Sequence, residues 1–138
     1  MNIVFQAHSG LRWLILLGVV LIVLKSIIGM FAGSSYTKFD KILGSATVGL
    51  LDLQLLLGLA LYFFHSAFIT FNMGNPTERF WSVEHLMLMI LAIVFAHVGK
   101  VKANKASVDS AKFKFQTIFF SIALILMIMG IPWDRIGG

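Results

Sequence analysis

Four long apolar stretches, at about residues 3–32, 42–71, 80–99 and 115–133, leave this chain few ways to fold. Each is long enough to cross the hydrocarbon of a bilayer, which takes ~20 mostly apolar residues at ~1.5 Å of rise each. No water is present there to satisfy backbone polar groups, so a span must be a helix or a strand of a closed barrel. The period-two alternation of a barrel strand is absent. Of the 138 residues, 59% are hydrophobic and 12% charged, with a mean hydropathy of +0.92, which leaves no room for a soluble domain. The expected fold is all-α: an integral-membrane four-helix up-down bundle forming one domain over residues 1–138. Its helices are expected at about 3–32, 42–71, 76–100 and 107–133, with sequential neighbours antiparallel.

Charge sets the expected orientation. Lys25, Lys38, Lys41, Lys100, Lys102, Lys105, Lys112 and Lys114 fall in or beside the connections after the first and third stretches, which share one side of an even-numbered bundle. The positive-inside rule makes that side cytoplasmic and puts both termini outside, with Arg12, Arg79, Arg135, Glu78, Glu84 and Asp134. The net charge of +5 is accounted for by lysines flanking membrane spans and facing anionic headgroups, so nucleic acid is not an expected partner. Residues 1–10 carry no Lys or Arg and no A-x-A-like site follows, so the first stretch reads as a retained helix, not a signal peptide. Within the second connection, Asn75-Pro76-Thr77-Glu78 has the pattern of a helix start: Asn as N-cap, Pro in the first turn and Glu three residues on. The absence of cysteine excludes thiolate metal sites and thioether-attached haem, while imidazole, carboxylate and Met chemistry stay open.

His8, His65 and His85 fall near the same end of three different stretches. Imidazole is costly to leave without a partner at membrane depth, so a group of them at one level is a site hypothesis by default. In an up-down bundle the first and third helices lie on a diagonal. His8 and His85 can therefore approach a flat macrocycle from opposite faces and fill both axial positions of its iron, provided they project inward at a common height and face one another across a gap wide enough for a porphyrin. The stripe through His85 continues through Ala92, Ala96 and Gly99, which either makes room for a bound group or lets helices approach closely. Haem propionates need cations at the membrane edge, and Arg12, Arg79 and Arg135 are the cations on that side; the alternative is that each pairs with a nearby Glu78, Glu84 or Asp134.

Two further histidines read differently. The stripe of His65 includes Gln54 and Gly58, while Asp52 points the other way, so one polar face of the second helix meets a second protomer or borrows a partner from a neighbouring helix; an interfacial role for His65 is favoured over ligation. His97 is twelve residues from His85, ~18 Å along the axis and ~120° around it, and no second histidine completes a site at its level. A polar cluster of His97 with Asp52 or Lys25 is expected, structural or proton-carrying.

Five segments, His8-Ser-Gly-Leu-Arg12, Asp52-Leu-Gln54 with Gly58, Arg79-Phe-Trp-Ser-Val-Glu84-His85 with Met89, Ala96-His97-Val-Gly99 and Ile131-Pro132-Trp133-Asp-Arg135, together resemble a family of small bacterial four-helix membrane proteins labelled cytochrome b or b561-like. The resemblance covers nearly the whole chain, and His65 does not belong to its pattern. It implies a haem-binding electron carrier in the bacterial inner membrane. The leading reading is therefore a b-type haem protein with His8 and His85 as axial ligands, Arg12 and Arg79 near the propionates and Glu84 orienting a ligand, exchanging single electrons with quinone or another redox protein. A second reading is a copper- or zinc-handling protein using His8, His85 and Glu84, with His65 or Met89 as further donors. A third is a cofactor-free subunit, in a homodimer or a larger respiratory complex, whose polar groups only hold helices together.

Overall fold

The first apolar stretch holds no proline and forms one unbroken helix, α1 (Asn2–Ala32), in a computed structural model that describes residues 2–64, 69 and 71–133. It stops where Gly33 takes a φ of +65° and Ser34 N–H donates back to the Gly29 carbonyl at 3.0 Å. This is the Schellman closure, which needs a left-handed residue and so favours glycine. The second helix, α2 (Lys38–Phe64), begins earlier than the expected residue 42. The Asp40 carboxylate accepts from Thr37 N–H at 2.8 Å and from its hydroxyl at 3.0 Å and pairs with Lys25 of α1, so the polar first turn is capped and docked instead of forming a connection. At the other end the expected limit of 71 is too late, because Phe71 is non-helical with a φ of +55°.

The third helix, α3 (Pro76–Lys105), starts where the sequence indicated: the Asn75 side chain accepts from Thr77 N–H at 3.0 Å and Glu78 N–H at 3.2 Å, with Pro76 behind it. It overruns the expected end at 100. Lys112 Nζ donates to the Ala103 carbonyl at 2.9 Å, capping the extra turn with a cation at the negative end of the helix. Only residues 106–108 separate it from α4 (Asp109–Gly130), so most of the connection expected at 101–106 is helical. The fourth helix ends short of the expected 133, for reasons that belong to the site.

The four helices form a ring in which α1 packs against α2 and α4, and α3 against the same two, leaving α1 and α3 across the diagonal as expected. Each pair runs antiparallel. Along α1 and α2, His8 lies opposite Gly58, Gly18 opposite Thr47 and Lys25 opposite Asp40; along α3 and α4, Leu88 lies opposite Gly130 and Gly99 opposite Phe119. The core is a column of Ile15, Val19, Ile22, Val48, Ala92, Ala96, Phe120 and Ala123. A Cβ at Gly99 would sit 2.6 Å from Phe119 Cβ, so the small stripe at 92, 96 and 99 serves close approach of α3 and α4 at this end. Large apolar side chains face outward on every helix, among them Leu17 and Leu24, Leu53 and Leu56, Met87 and Val94, Ile118 and Ile125. All four helices are long and apolar enough to cross a membrane, and this outer belt is the surface that meets lipid.

The lysine-rich end is tied by a buried polar chain. Ser26 Oγ–H donates to Gln116 Oε1 at 2.9 Å, and Gln116 Nε2–H donates to the Tyr36 hydroxyl at 2.8 Å, joining α1, α4 and the first connection. The lysine-poor end is organised differently.

Candidate functional site

At the lysine-poor end the diagonal between α1 and α3 is bridged by two imidazoles. The His8 and His85 ring centroids are 6.3 Å apart with the planes inclined at 73°, so both side chains project inward at a common height. His8 is held by α2: Gln54 Nε2–H donates to the His8 carbonyl at 2.7 Å, and Gly58, one turn on, leaves space for the ring. A Cβ at Gly58 would lie 3.1 Å from His8 Cε1. His85 is held by α4 through its Nδ1–H, which donates to the Gly130 carbonyl at 2.7 Å. With Nδ1 used in this way, Nε2 keeps its lone pair, which is the tautomer of a metal-ligating histidine.

His85 follows a π-helical turn, Phe80–Glu84, in which His85 N–H reaches back to the Phe80 carbonyl. Such turns are rare and concentrate at functional sites. This one is braced from outside: Tyr62 O–H donates to the Ser82 carbonyl at 2.7 Å, and Ser82 Oγ accepts from Phe71 N–H at 3.2 Å. Phe80 and Trp81 flank the His85 ring, with centroids 5.6 and 5.7 Å away.

Among the described residues, the buried side-chain nitrogens and oxygens without a hydrogen-bond partner are His8 Nδ1, Arg12 Nε and Gln54 Oε1. All belong to this one site. Buried polar groups are nearly always satisfied, so three orphans in one place point to a missing partner. Arg12 lies one turn from His8 with its guanidinium carbon 4.8 Å from the Trp13 ring centre.

Other expected members lie elsewhere. Arg79 Nε is 3.5 Å from Glu84 Oε2 and Arg79 Nη1–H donates to the Met73 carbonyl at 3.2 Å, so Arg79 and Glu84 face each other, as the alternative reading of the arginines had it. Glu84 is thus not the group that orients His85 through Nδ1; the Gly130 carbonyl is. Met89 packs over Gly130. His97 and Asp52 do form the expected polar pair, at 2.7 Å, with side chains 46% and 49% exposed, and Lys25 pairs with Asp40 instead. Asp52 has therefore borrowed its partner from α3. His65, Asp134 and Arg135 lie outside the described residues.

Three contributors escaped sequence reasoning: the π turn, the Gly130 carbonyl and the service of Gln54 and Gly58 to His8. The last had a signal, a polar and a small residue at i and i+4 on one helix face, read there as belonging with His65. A backbone carbonyl carries none, and nothing in Phe80-Trp81-Ser82-Val83-Glu84 marks a π turn.

Among the described residues no group of three His, Cys, Asp or Glu is placed to hold a metal ion, so the donor set is two imidazoles. This lacks the four donors of a structural zinc site or the three of a catalytic one. Two imidazoles would leave the remaining positions of a bound metal to donors other than these residues. No family model, curated protein or solved structure matches the chain.

Proposed function

We propose that this chain is a b-type haem-binding electron-transfer protein of the membrane, of the small cytochrome b or b561-like kind, with one haem between α1 and α3 at the lysine-poor end. The observation that carries the reading is the pair of facing imidazoles, 6.3 Å between centroids. Two imidazoles held by one metal, with bonds of about 2 Å and about 1 Å from each nitrogen to its ring centre, would have centroids roughly 6 Å apart. His8 and His85 would be the axial ligands. The unpartnered Arg12 Nε supplies the planar cation that a propionate needs, and His8 Nδ1 and Gln54 Oε1 are polar groups a bound cofactor or its ordered water would satisfy. Arg79, already facing Glu84, takes a smaller share. Haem b would supply reversible one-electron transfer at this position. The residues hold it, screen it from lipid with Phe80 and Trp81, and keep His85 in the ligating tautomer.

A single copper ion directly between the rings would fit the same separation. Arg12 argues against it, since a partly buried guanidinium beside a bound cation is repulsive whereas beside a carboxylate it is stabilising. A cofactor-free structural subunit would need ordered water to satisfy the three orphaned atoms. The electron partner is proposed to be a membrane quinone or another redox protein, and the setting a bacterial inner membrane with the lysine-rich connections cytoplasmic. The test is the haem and metal content of detergent-purified protein expressed with adequate haem supply. The expected result is about one haem per chain with a sharp reduced-state visible spectrum. Copper without haem, or neither, would overturn the proposal.

A further inference from the structure

At the end of α4 the chain turns out of the helix after Gly130, and the carbonyl exposed there is the one His85 uses. In a continuing helix the carbonyls of Ile128 and Gly130 would each accept an amide four residues on. Pro132 has no N–H to give Ile128, and the Trp133 indole Nε1–H takes that carbonyl instead, at 2.8 Å. Ile131, before the proline, is extended at φ −77° and ψ 133°, and Trp133 N–H turns back to its carbonyl at 2.9 Å. The chain therefore leaves the helix immediately after Gly130. α3 and α4 also approach closely at that residue: a Cβ there would sit 2.5 Å from Met89 Cε and 3.2 Å from Leu88 Cβ, residues one turn beyond His85 on its own face. The absence of a side chain brings the Gly130 carbonyl within 2.7 Å of His85 Nδ1.

From this geometry we propose that the broken end of α4 is a ligand-tuning device, with Gly130, Pro132 and Trp133 as positioning residues that act through His85. The inference deepens the haem proposal and rests on the ligand role of His85. A helix C-terminus carries roughly half an elementary negative charge on its unsatisfied carbonyls. An imidazole donating Nδ1–H to that end is fixed in one tautomer and orientation and becomes a stronger Nε2 donor, which favours the oxidised, more positive state of a bound iron. The Ile131-Pro132-Trp133 segment thus does more than end a helix at the membrane surface.

The test separates this device from the haem proposal by reading His85 without cofactor. In the full-length, haem-free protein in detergent, nitrogen NMR of 15N-histidine samples should show His85 protonated at Nδ1 and bare at Nε2, with slow exchange of the Nδ1 proton. Pro132→Ala restores an amide for Ile128 and lets α4 continue, so the Gly130 carbonyl gains a competing donor and His85 should turn to mixed tautomers with faster exchange. Trp133→Phe keeps the proline and removes only the indole donor; it should move the exchange rate the same way by less, and it stands in if the proline variant fails to fold. Where haem is bound, both variants should keep the visible spectrum while Pro132→Ala shifts the oxidised–reduced equilibrium towards reduced about tenfold, ~59 mV for one electron. A wild-type His85 protonated at Nε2, or variants with wild-type tautomer, exchange and potential, would overturn the device. Absence of haem with the expected tautomer pattern would overturn the haem proposal alone.

Discussion

A methyl group at Gly58 would lie 3.1 Å from His8 Cε1, closer than ordinary carbon contacts, so the ring would have to shift towards the diagonal. Gly58→Ala is expected to leave the bundle folded and to lower haem occupancy several-fold, measured as the ratio of haem to protein absorbance. Gly49→Ala is the control, because nothing lies within 4 Å of a Cβ there and the helix gains up to about 1 kcal/mol in propensity. The arginines separate in the same way. Arg12→Gln removes the guanidinium whose buried Nε is orphaned and should lower haem occupancy or shift its potential, whereas Arg79→Gln, which only releases Glu84 and the Met73 carbonyl, should leave both near wild type. Equal effects from the two substitutions would remove the propionate role of Arg12. His97→Ala is expected to spare the haem spectrum and to change thermal stability by less than about 1 kcal/mol, because hydrogen bonds between membrane helices average about that or less and this pair is half exposed.

At the scale of elements, the π turn and the closed packing of α3 on α4 hold His85 in place. Ser82 is buried and joins Tyr62 of α2 and Phe71 of the second connection to the π turn. Tyr62→Phe deletes one of these hydrogen bonds, with an expected cost of about 1 kcal/mol read as a lower melting temperature, and a broadened haem spectrum as the ligand loses its fixed orientation. Gly99→Ala forces a contact at 2.6 Å with Phe119 Cβ, which cannot swing away because it is attached to the helix, so a loss of about 1–3 kcal/mol is expected without any change in ligation. The helices themselves were legible from length and hydropathy, and the Asn75-Pro76 start to the residue, because capping is local chemistry. The boundaries at Lys38, Lys105 and Gly130 were not, since each depends on a particular side-chain contact that the hydropathy pattern does not carry: Lys25 with Asp40 for the first, Lys112 with the Ala103 carbonyl for the second, and the Trp133 indole and His85 with carbonyls of the last turn for the third. The same division holds at the site. His8 and His85 stand out as intramembrane imidazoles on diagonal helices, but their supports are a carbonyl, a glycine and a π turn, and backbone contributions of that kind carry no residue signature.

For the whole molecule, antiparallel packing places both Lys-rich connections at one end and the imidazole pair at the other, a separation that follows from the alternating direction of successive spans. Cysteines introduced at Ser107 and at Asn75 are expected to react with an impermeant reagent from opposite sides of the membrane, Ser107 from the cytoplasm; the reverse pattern would invert the proposed sidedness without altering the site. The central claim is that His8 and His85 together hold one haem. Its most direct test is the reduced visible spectrum of His8→Ala, His85→Ala and His65→Ala proteins, each with and without carbon monoxide and added imidazole. The account predicts six-coordinate haem in the parent and in His65→Ala. In each of the other two it predicts loss of haem, or an open position that binds carbon monoxide and is refilled by imidazole. A spectrum that survives loss of His8 or His85 but is destroyed by loss of His65 would contradict it.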